Sequence, residues 1–305
     1  MNRAAGERPP TGPILCFGEI LWDHLPTGRF MGGAPLNVAV HLRRLGRRAL
    51  PVSAVGDDGP GAEALATLNR LGVDTRAVAI RRDLPTGTVR VSLDADGNPR
   101  FTIAEPAAWD RIPNPSGAAA IAAENPHAVV FGSLALRQAP NRRTLARLLK
   151  ATAAIRICDI NLRPPHDDRA RALRLARRAD LLKLNRQELL VLSGAAAGTP
   201  LEAAVAALQR RTGCRRICVT LGADGAILLD HGRWHRCRPE PVTVRDTVGA
   251  GDAFTAVLAA ALTARATPPW PAVLADACRL AAYVASRSGA TPAYDAARLG
   301  LVLGP

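Results

Sequence analysis

The residues whose types and spacing best suit chemistry are the two aspartates and the small residues between them in Asp246-Thr247-Val248-Gly249-Ala250-Gly251-Asp252. Three small residues in a row let the backbone approach a ligand closely, and the apolar run Ala253-Phe254-Thr255-Ala256-Val257-Leu258 reads as a helix starting at about Ala250. A helix that starts this way aims unpaired N–H groups and a partial positive charge at whatever lies before it, and the natural guest is a phosphate. Asp252 falls in the first turn, where its ionised carboxylate is favoured and can take a proton from an attacking hydroxyl. Taken alone, the same stretch also reads as a glycine turn with an acidic helix start.

A second glycine-rich stretch, Gly32-Gly33-Ala34-Pro35-Leu36-Asn37-Val38-Ala39, lies far upstream, with Gly46 and Gly56 following at set intervals. Together the two stretches resemble the paired signatures of the ribokinase-like (PfkB) sugar kinase family. The upstream stretch fits throughout; the downstream one departs at Val257, where the family usually has Ala or Gly, a helix-interior difference that bears on packing more than on chemistry. The resemblance runs from about Ile14 to Pro292.

The resemblance implies transfer of the γ-phosphoryl of MgATP to a sugar hydroxyl. Asp252 would be the base, the N–H groups of Gly249, Ala250 and Gly251 would hold the transferring oxygens, and Arg163, in Asp159-Ile160-Asn161-Leu162-Arg163, would stabilise charge near the sugar. That transition state is loose, so a carboxylate of low pKa suffices. On the sugar side the resemblance implies Asp23, Gly32, Gly33 and Asn37. On the nucleotide side it implies Asn185 and Glu188 around hydrated magnesium, Thr220, Gly222 and Gly225 along ATP, Cys278 and Gly289 near the adenine, and potassium beside Asp246. Members often have Asn where Cys278 stands. Without the resemblance, Asp23 reads as a solvated loop acid, Arg163 as a surface arginine, and Asn185 with Glu188 as an acid-capped helix start.

The run Phe17-Gly18-Glu19-Ile20-Leu21-Trp22-Asp23, with Gly-Gly-Ala-Pro, resembles the fructokinase branch, so fructose is the expected acceptor. Ribose, 2-keto-3-deoxygluconate or a nucleoside is the alternative within the class, and a non-catalytic sugar or nucleotide sensor the alternative outside it. No Gly-x-x-x-x-Gly-Lys-[Ser/Thr] occurs and neither lysine stands in a glycine loop, which excludes a P-loop mechanism.

Composition bounds the remaining classes. A chain of 305 residues with 48% hydrophobic and 22% charged residues is that of a globular protein with a large core. No apolar run is long enough to span a membrane, and the first thirteen residues read as a loose tail, not a secretion signal, so the expected address is the cytoplasm. The net charge of +14 comes almost entirely from arginines scattered among alanines, with Lys150 and Lys183 the only lysines, and carries no nucleic-acid motif. Six cysteines without a Cys-x-x-Cys pair are expected as reduced thiols, and His231 and His235 flank a hairpin turn more plausibly than a metal.

These residues need elements to hold them. Ile14–Phe17, Leu50–Ser53, Ala128–Phe131, Ile155–Cys158, Leu181–Leu184 and Ile217–Thr220 read as buried strands, alternating with helical patterns over Ala34–Arg44 and Ala62–Leu71. That alternation predicts a three-layer α/β/α sandwich with a mostly parallel central sheet, occupying residues 14–305. Gly56-Asp57-Asp58-Gly59 is expected to be a structural turn, and Thr86 to Ile103 a hairpin around Asp94-Ala95-Asp96-Gly97-Asn98. The resemblance makes that hairpin, with segments at about 19–31 and 86–110, a small β-sheet lid over the sugar, whose open edge suggests a homodimer.

Overall fold

The computed structural model describes residues 12–25, 28–93, 99–114, 118–264, 266 and 269–302. Most of the expected tail and the hairpin tips at Pro26-Thr27 and Asp94–Asn98 lie outside the described residues. The chain opens with β1 (Ile14–Phe17), β2 (Leu21–Leu25), β3 (Gly28–Gly32), α1 (Ala34–Arg44), β4 (Ala49–Gly56), α2 (Gly59–Arg70) and β5 (Val78–Arg81). It continues through β6 (Gly87–Leu93), β7 (Pro99–Ile103), α3 (Ala118–Ala123), β8 (Ala128–Gly132), α4 (Ala139–Ala151), β9 (Ile155–Asp159), α5 (Arg169–Ala176) and β10 (Leu181–Asn185). Then come α6 (Arg186–Ser193), α7 (Leu201–Thr212), β11 (Arg216–Thr220), β12 (Ala226–Asp230), β13 (Arg233–Cys237), α8 (Ala250–Leu262) and α9 (Trp270–Ala285).

The strands that read as uninterrupted apolar runs form the large sheet, in the order β13-β12-β11-β10-β9-β8-β1-β4-β5. Its pairings are parallel from β5 to β11 and antiparallel at the β12 and β13 edge. A strand buried on both faces sends successive side chains into opposite layers. Ile14 and Cys16 accordingly join a core with α1, α2, α8 and α9, while Leu15 and Phe17 join a second core with α3 to α7. This is the expected three-layer architecture. Helix α8 is buried continuously from Ala253 to Ala261, wedged between the sheet, α1 and α9, which explains its run of small and apolar residues.

The smaller sheet has four strands in the order β3-β2-β6-β7. The antiparallel β6–β7 pair is the expected hairpin, but no local pattern foretells that β2 and β6 pair in parallel, Leu21 opposite Gly87. Strand β4 runs three residues past its expected end, to Gly56, and α2 starts at Gly59, ahead of the expected Ala62. The physical reason is Asp58. Its carboxylate accepts from Gly61 N at 2.8 Å as the N-cap of α2, and from Thr86 N at 2.8 Å and Thr86 Oγ1 at 2.5 Å. Thr86 Oγ1 in turn accepts from Gly56 N at 2.9 Å. The expected structural turn is therefore also a staple between the large sheet and the root of the small one.

Asp58→Ala removes a helix cap and this staple together. It should cost about 1–2 kcal/mol of unfolding free energy, measured by urea titration; a midpoint within error of the unsubstituted protein would contradict the staple.

Candidate active site

The polar residues gather where the parallel strands end, as the crevice of an open α/β sheet requires. Asp159, Asn185 and Thr220 sit at the C-terminal ends of the neighbouring strands β9, β10 and β11. The two glycine-rich stretches, far apart in sequence, meet here: Asn37 Nδ2 donates to Asp252 Oδ2 at 2.8 Å across 215 residues of chain. Asn37 is buried in the first turn of α1 and Asp252 lies in the first turn of α8, so both helices point their N-termini at the same place.

The glycines of the upstream stretch are required by close contacts. A Cβ on Gly33, whose φ is +121°, would stand 2.2 Å from Glu19 O, and one on Gly32 would stand 2.3 Å from Asp23 Oδ2. Asp23 thus lies against Gly32, on β2 of the small sheet. Burial raises its carboxyl to about 6, against the pull of Arg163. Arg163 is itself exposed, and its charge acts on Asp23, Glu19 and Asp252 together.

Asp252 departs from the expectation of an easily ionised carboxylate. Burial, and then the charge of Asp159, push its pKa up to about 6; the bond from Asn37 and the charges of Lys183 and Arg163 oppose this without cancelling it. The helix start predicted the dipole, but not the desolvation that outweighs it.

The downstream cradle is also more specialised than its glycines suggest. Gly249 takes φ +78° as the N-cap of α8, and a Cβ there would stand 2.3 Å from Ala290 O. Ala250 N–H turns back to Thr247 O at 3.3 Å. Of the three donors expected, this one is spent inside the loop, and the helix offers Gly251 and Asp252 N–H in its place. Behind the cradle, a Cβ on Gly251 would stand 3.0 Å from Lys183 Nζ.

Lys183, Asp159 and Thr255 were not among the expected site residues. Lys183 and Asp159 are register partners on parallel strands and so share a face. Lys183 Nζ donates to Asp159 Oδ2 at 2.9 Å and Oδ1 at 3.1 Å, and Thr255 Oγ1 on α8 donates to Asp159 Oδ2 at 2.7 Å. Burial works to lower the lysine pKa, but Asp159 outweighs it and holds it above the usual value. The available signal was a lone lysine inside the apolar strand Leu181-Leu182-Lys183-Leu184. A charge there is rare unless it is paired.

On the nucleotide side, Asn185 and Glu188 form the reciprocal cap of α6. Glu188 N donates to Asn185 Oδ1 at 2.9 Å, and Asn185 N donates to Glu188 Oε2 at 2.8 Å. Glu188 Oε1 accepts from Leu162 N at 2.8 Å, tying α6 to the loop that carries Arg163. Burial raises the Glu188 pKa. Thr220 ends β11 beside Asn185, and after it Gly222 has open space where a Cβ would be, while a Cβ on Gly225 would stand 2.0 Å from Cys237 O. Asp246 joins two loops by accepting from Val248 N and from Gly289 N, both at 3.0 Å. Cys278 is 5% exposed and packed in the core with its thiol against Cys237. The histidines 231 and 235 lie at the β12–β13 hairpin, and no metal-holding group of three or more His, Cys, Asp or Glu occurs among the described residues.

Comparison with known proteins agrees with this geometry. A family model described as pfkB family carbohydrate kinase matches residues 26–297. A fructokinase from Klebsiella pneumoniae is 33% identical over 288 residues, covering 88% of this chain and 91% of the relative. An aminoimidazole riboside kinase from Salmonella typhimurium is 32% identical over 232 residues, covering 73% and 70%. Among solved structures, a fructokinase from Vibrio cholerae O395 with bound fructose, ADP and calcium superposes with a TM-score of 0.80 at 26% identity, covering 96% of this chain and 99% of that one.

Two outcomes follow from the buried charges. Because the folded pKa of Asp252 is raised, its contribution to stability is present below the unfolded value and is lost as pH rises through about 6. Asp252→Asn should therefore gain stability over the unsubstituted protein between about pH 3 and about pH 7, by up to about 3 kcal/mol, seen by denaturant titration at the two ends. Lys183→Met leaves Asp159 buried and unpaired and should cost about 3–5 kcal/mol, read in the same titration.

Proposed function

The chain belongs to the pfkB family of carbohydrate kinases, and from that premise we propose that it is a fructokinase, transferring the γ-phosphoryl group of MgATP to a hydroxyl of fructose. The observation that carries the reading is the Asn37–Asp252 hydrogen bond, which brings a glycine-lined bowl and a phosphate cradle together around one carboxyl. The fructokinase relatives support fructose as the acceptor.

In this mechanism the sugar lies between Asp23, Gly33 and Asn37 with the reacting hydroxyl at Asp252, which takes its proton as the bond to phosphorus forms. The N–H groups at the start of α8 hold the transferring oxygens, and the exposed guanidinium of Arg163 faces the developing charge. Since the transition state is loose, positioning and charge do most of the work. The oxygen donors of Asn185 and Glu188 suit magnesium held through water, and the ion would neutralise phosphate charge there. Closure of the small sheet over the sugar would keep water from the phosphoryl group.

Three further features belong to this reading. The edge strand β3, with Phe30 exposed, supports a homodimer through the small sheet. Asp246, at the junction of the loops bearing Val248 and Gly289, is the place for a potassium ion, tested by replacing potassium with a bulkier cation. Six free cysteines support a reducing compartment, the cytoplasm.

The test is ADP release over a panel of fructose, ribose, 2-keto-3-deoxygluconate and aminoimidazole riboside. Fructose should give the highest kcat/KM, and no turnover with any of the four would end the reading. A riboside ahead of fructose would favour the activity named for the Salmonella typhimurium relative. Asp252→Asn should leave at most a few per cent of turnover. Because the base must be ionised, kcat/KM should fall on the acid side of about pH 6, and a profile flat to about pH 4.5 would remove Asp252 from that role.

A further inference from the structure

Glu19 is the buried group in the site that the mechanism leaves without a task. It is 4% exposed, just beyond the end of β1. Its Oε1 accepts from Ala34 N at 3.1 Å, while Oε2 is sealed from solvent and has no hydrogen-bond partner among the described residues. Ala34 is the first residue of α1, whose N-cap is Gly33, and Gly33 has no side chain with which to cap. Pro35 has no N–H, and no acidic residue lies in the first turn. The helix that carries Asn37 thus starts on a glycine and a proline, with no side-chain cap of its own and no acidic residue to meet its free N–H groups.

We propose that Glu19 is a positioning residue for phosphoryl transfer, acting as a cap supplied to α1 from outside the helix and so holding Asn37 against Asp252. The backbone geometry supports this. Glu19 O lies where a Cβ on Gly33 would be, and a Cβ on Gly18 would stand 2.5 Å from Pro35 Cγ, so the exit of β1 and the entry of α1 are in direct contact. Asn37 N then donates to Gly33 O at 2.9 Å, and its side chain reaches Asp252. The path from Glu19 to the base runs through one hydrogen bond, one helical turn and a second hydrogen bond.

The side chain acts as an acceptor and needs no charge. Burial raises its pKa to about 7 against the opposing hydrogen bonds from its own N–H and that of Ala34, with the charge of Asp252 adding and Arg163 opposing. The unpartnered Oε2 is the place for the proton, which leaves Oε1 free to accept from Ala34. Glutamine has the same reach and the same acceptor, so it should substitute; aspartate, one methylene shorter, should not.

The kinetic arm of the test rests on the kinase reading; the exchange arm does not. Glu19→Ala and Glu19→Asp should lose on the order of tenfold or more in kcat/KM for the sugar, with the KM for ATP unchanged, and Glu19→Gln should stay within about twofold of the unsubstituted enzyme. Hydrogen–deuterium exchange of residues 33–38 should quicken in the alanine and aspartate variants and not in the glutamine variant. Sugar-side kinetics unchanged in the alanine variant, glutamine as damaging as alanine, or ATP and sugar constants falling together would each overturn the proposal. If the alanine variant does not fold, the glutamine and aspartate variants decide. If the unsubstituted protein phosphorylates no sugar, the kinase reading falls and the exchange pattern still decides the role of Glu19.

Discussion

Desolvation of one half-buried carboxyl, Asp252, is the constraint on which the site depends. Removing a carboxylate from water is costly unless fixed dipoles and charges replace the lost hydration. The replacements come from separate parts of the chain. Asn37 donates from α1, the first turn of α8 supplies its dipole, Lys183 lies beneath Gly251, and the charge of the exposed Arg163 also acts on it. They do not fully compensate, and its pKa lies near 6. A carboxyl there is ionised at neutral pH yet holds a proton more strongly than a solvated aspartate would.

The fold serves this constraint by bringing two helix starts to one place. Helix α8 can lie buried over most of its length because its residues are small and apolar, and its one polar buried member, Thr255, is satisfied by Asp159 and by Gly251 O at 2.9 Å. The glycines set how closely segments approach. Gly249 lies against Ala290, Gly33 against Glu19 and Gly225 against Cys237, and in each case a Cβ would fall inside 2.5 Å of a backbone oxygen. Val257, the departure within the downstream glycine stretch, is fully buried in the core of α8, away from the Gly249–Gly251 loop.

The capping of α6 shows how two readings of the same residues can coexist. Asn185 and Glu188 form the acid-capped helix start that their spacing suggests without any resemblance. The same bonds orient Glu188 toward the loop of Arg163, so a structural role and a role beside the nucleotide do not compete. Cys278 is 5% exposed and packs with the core.

Local pattern was enough for the layered architecture, the buried strands of the large sheet, the first two helices, and the start of α8 at Ala250, because each depends on periodicity or on nearby glycines. The glycine stretches and Asp252 were legible for the same reason. Tertiary structure alone decided the rest: the parallel β2–β6 pairing, the Lys183–Asp159–Thr255 chain, the cap from Glu19 and the raised pKa of Asp252. Each of these is set by which distant segments share a face or exclude water together, and spacing along a chain carries no record of that.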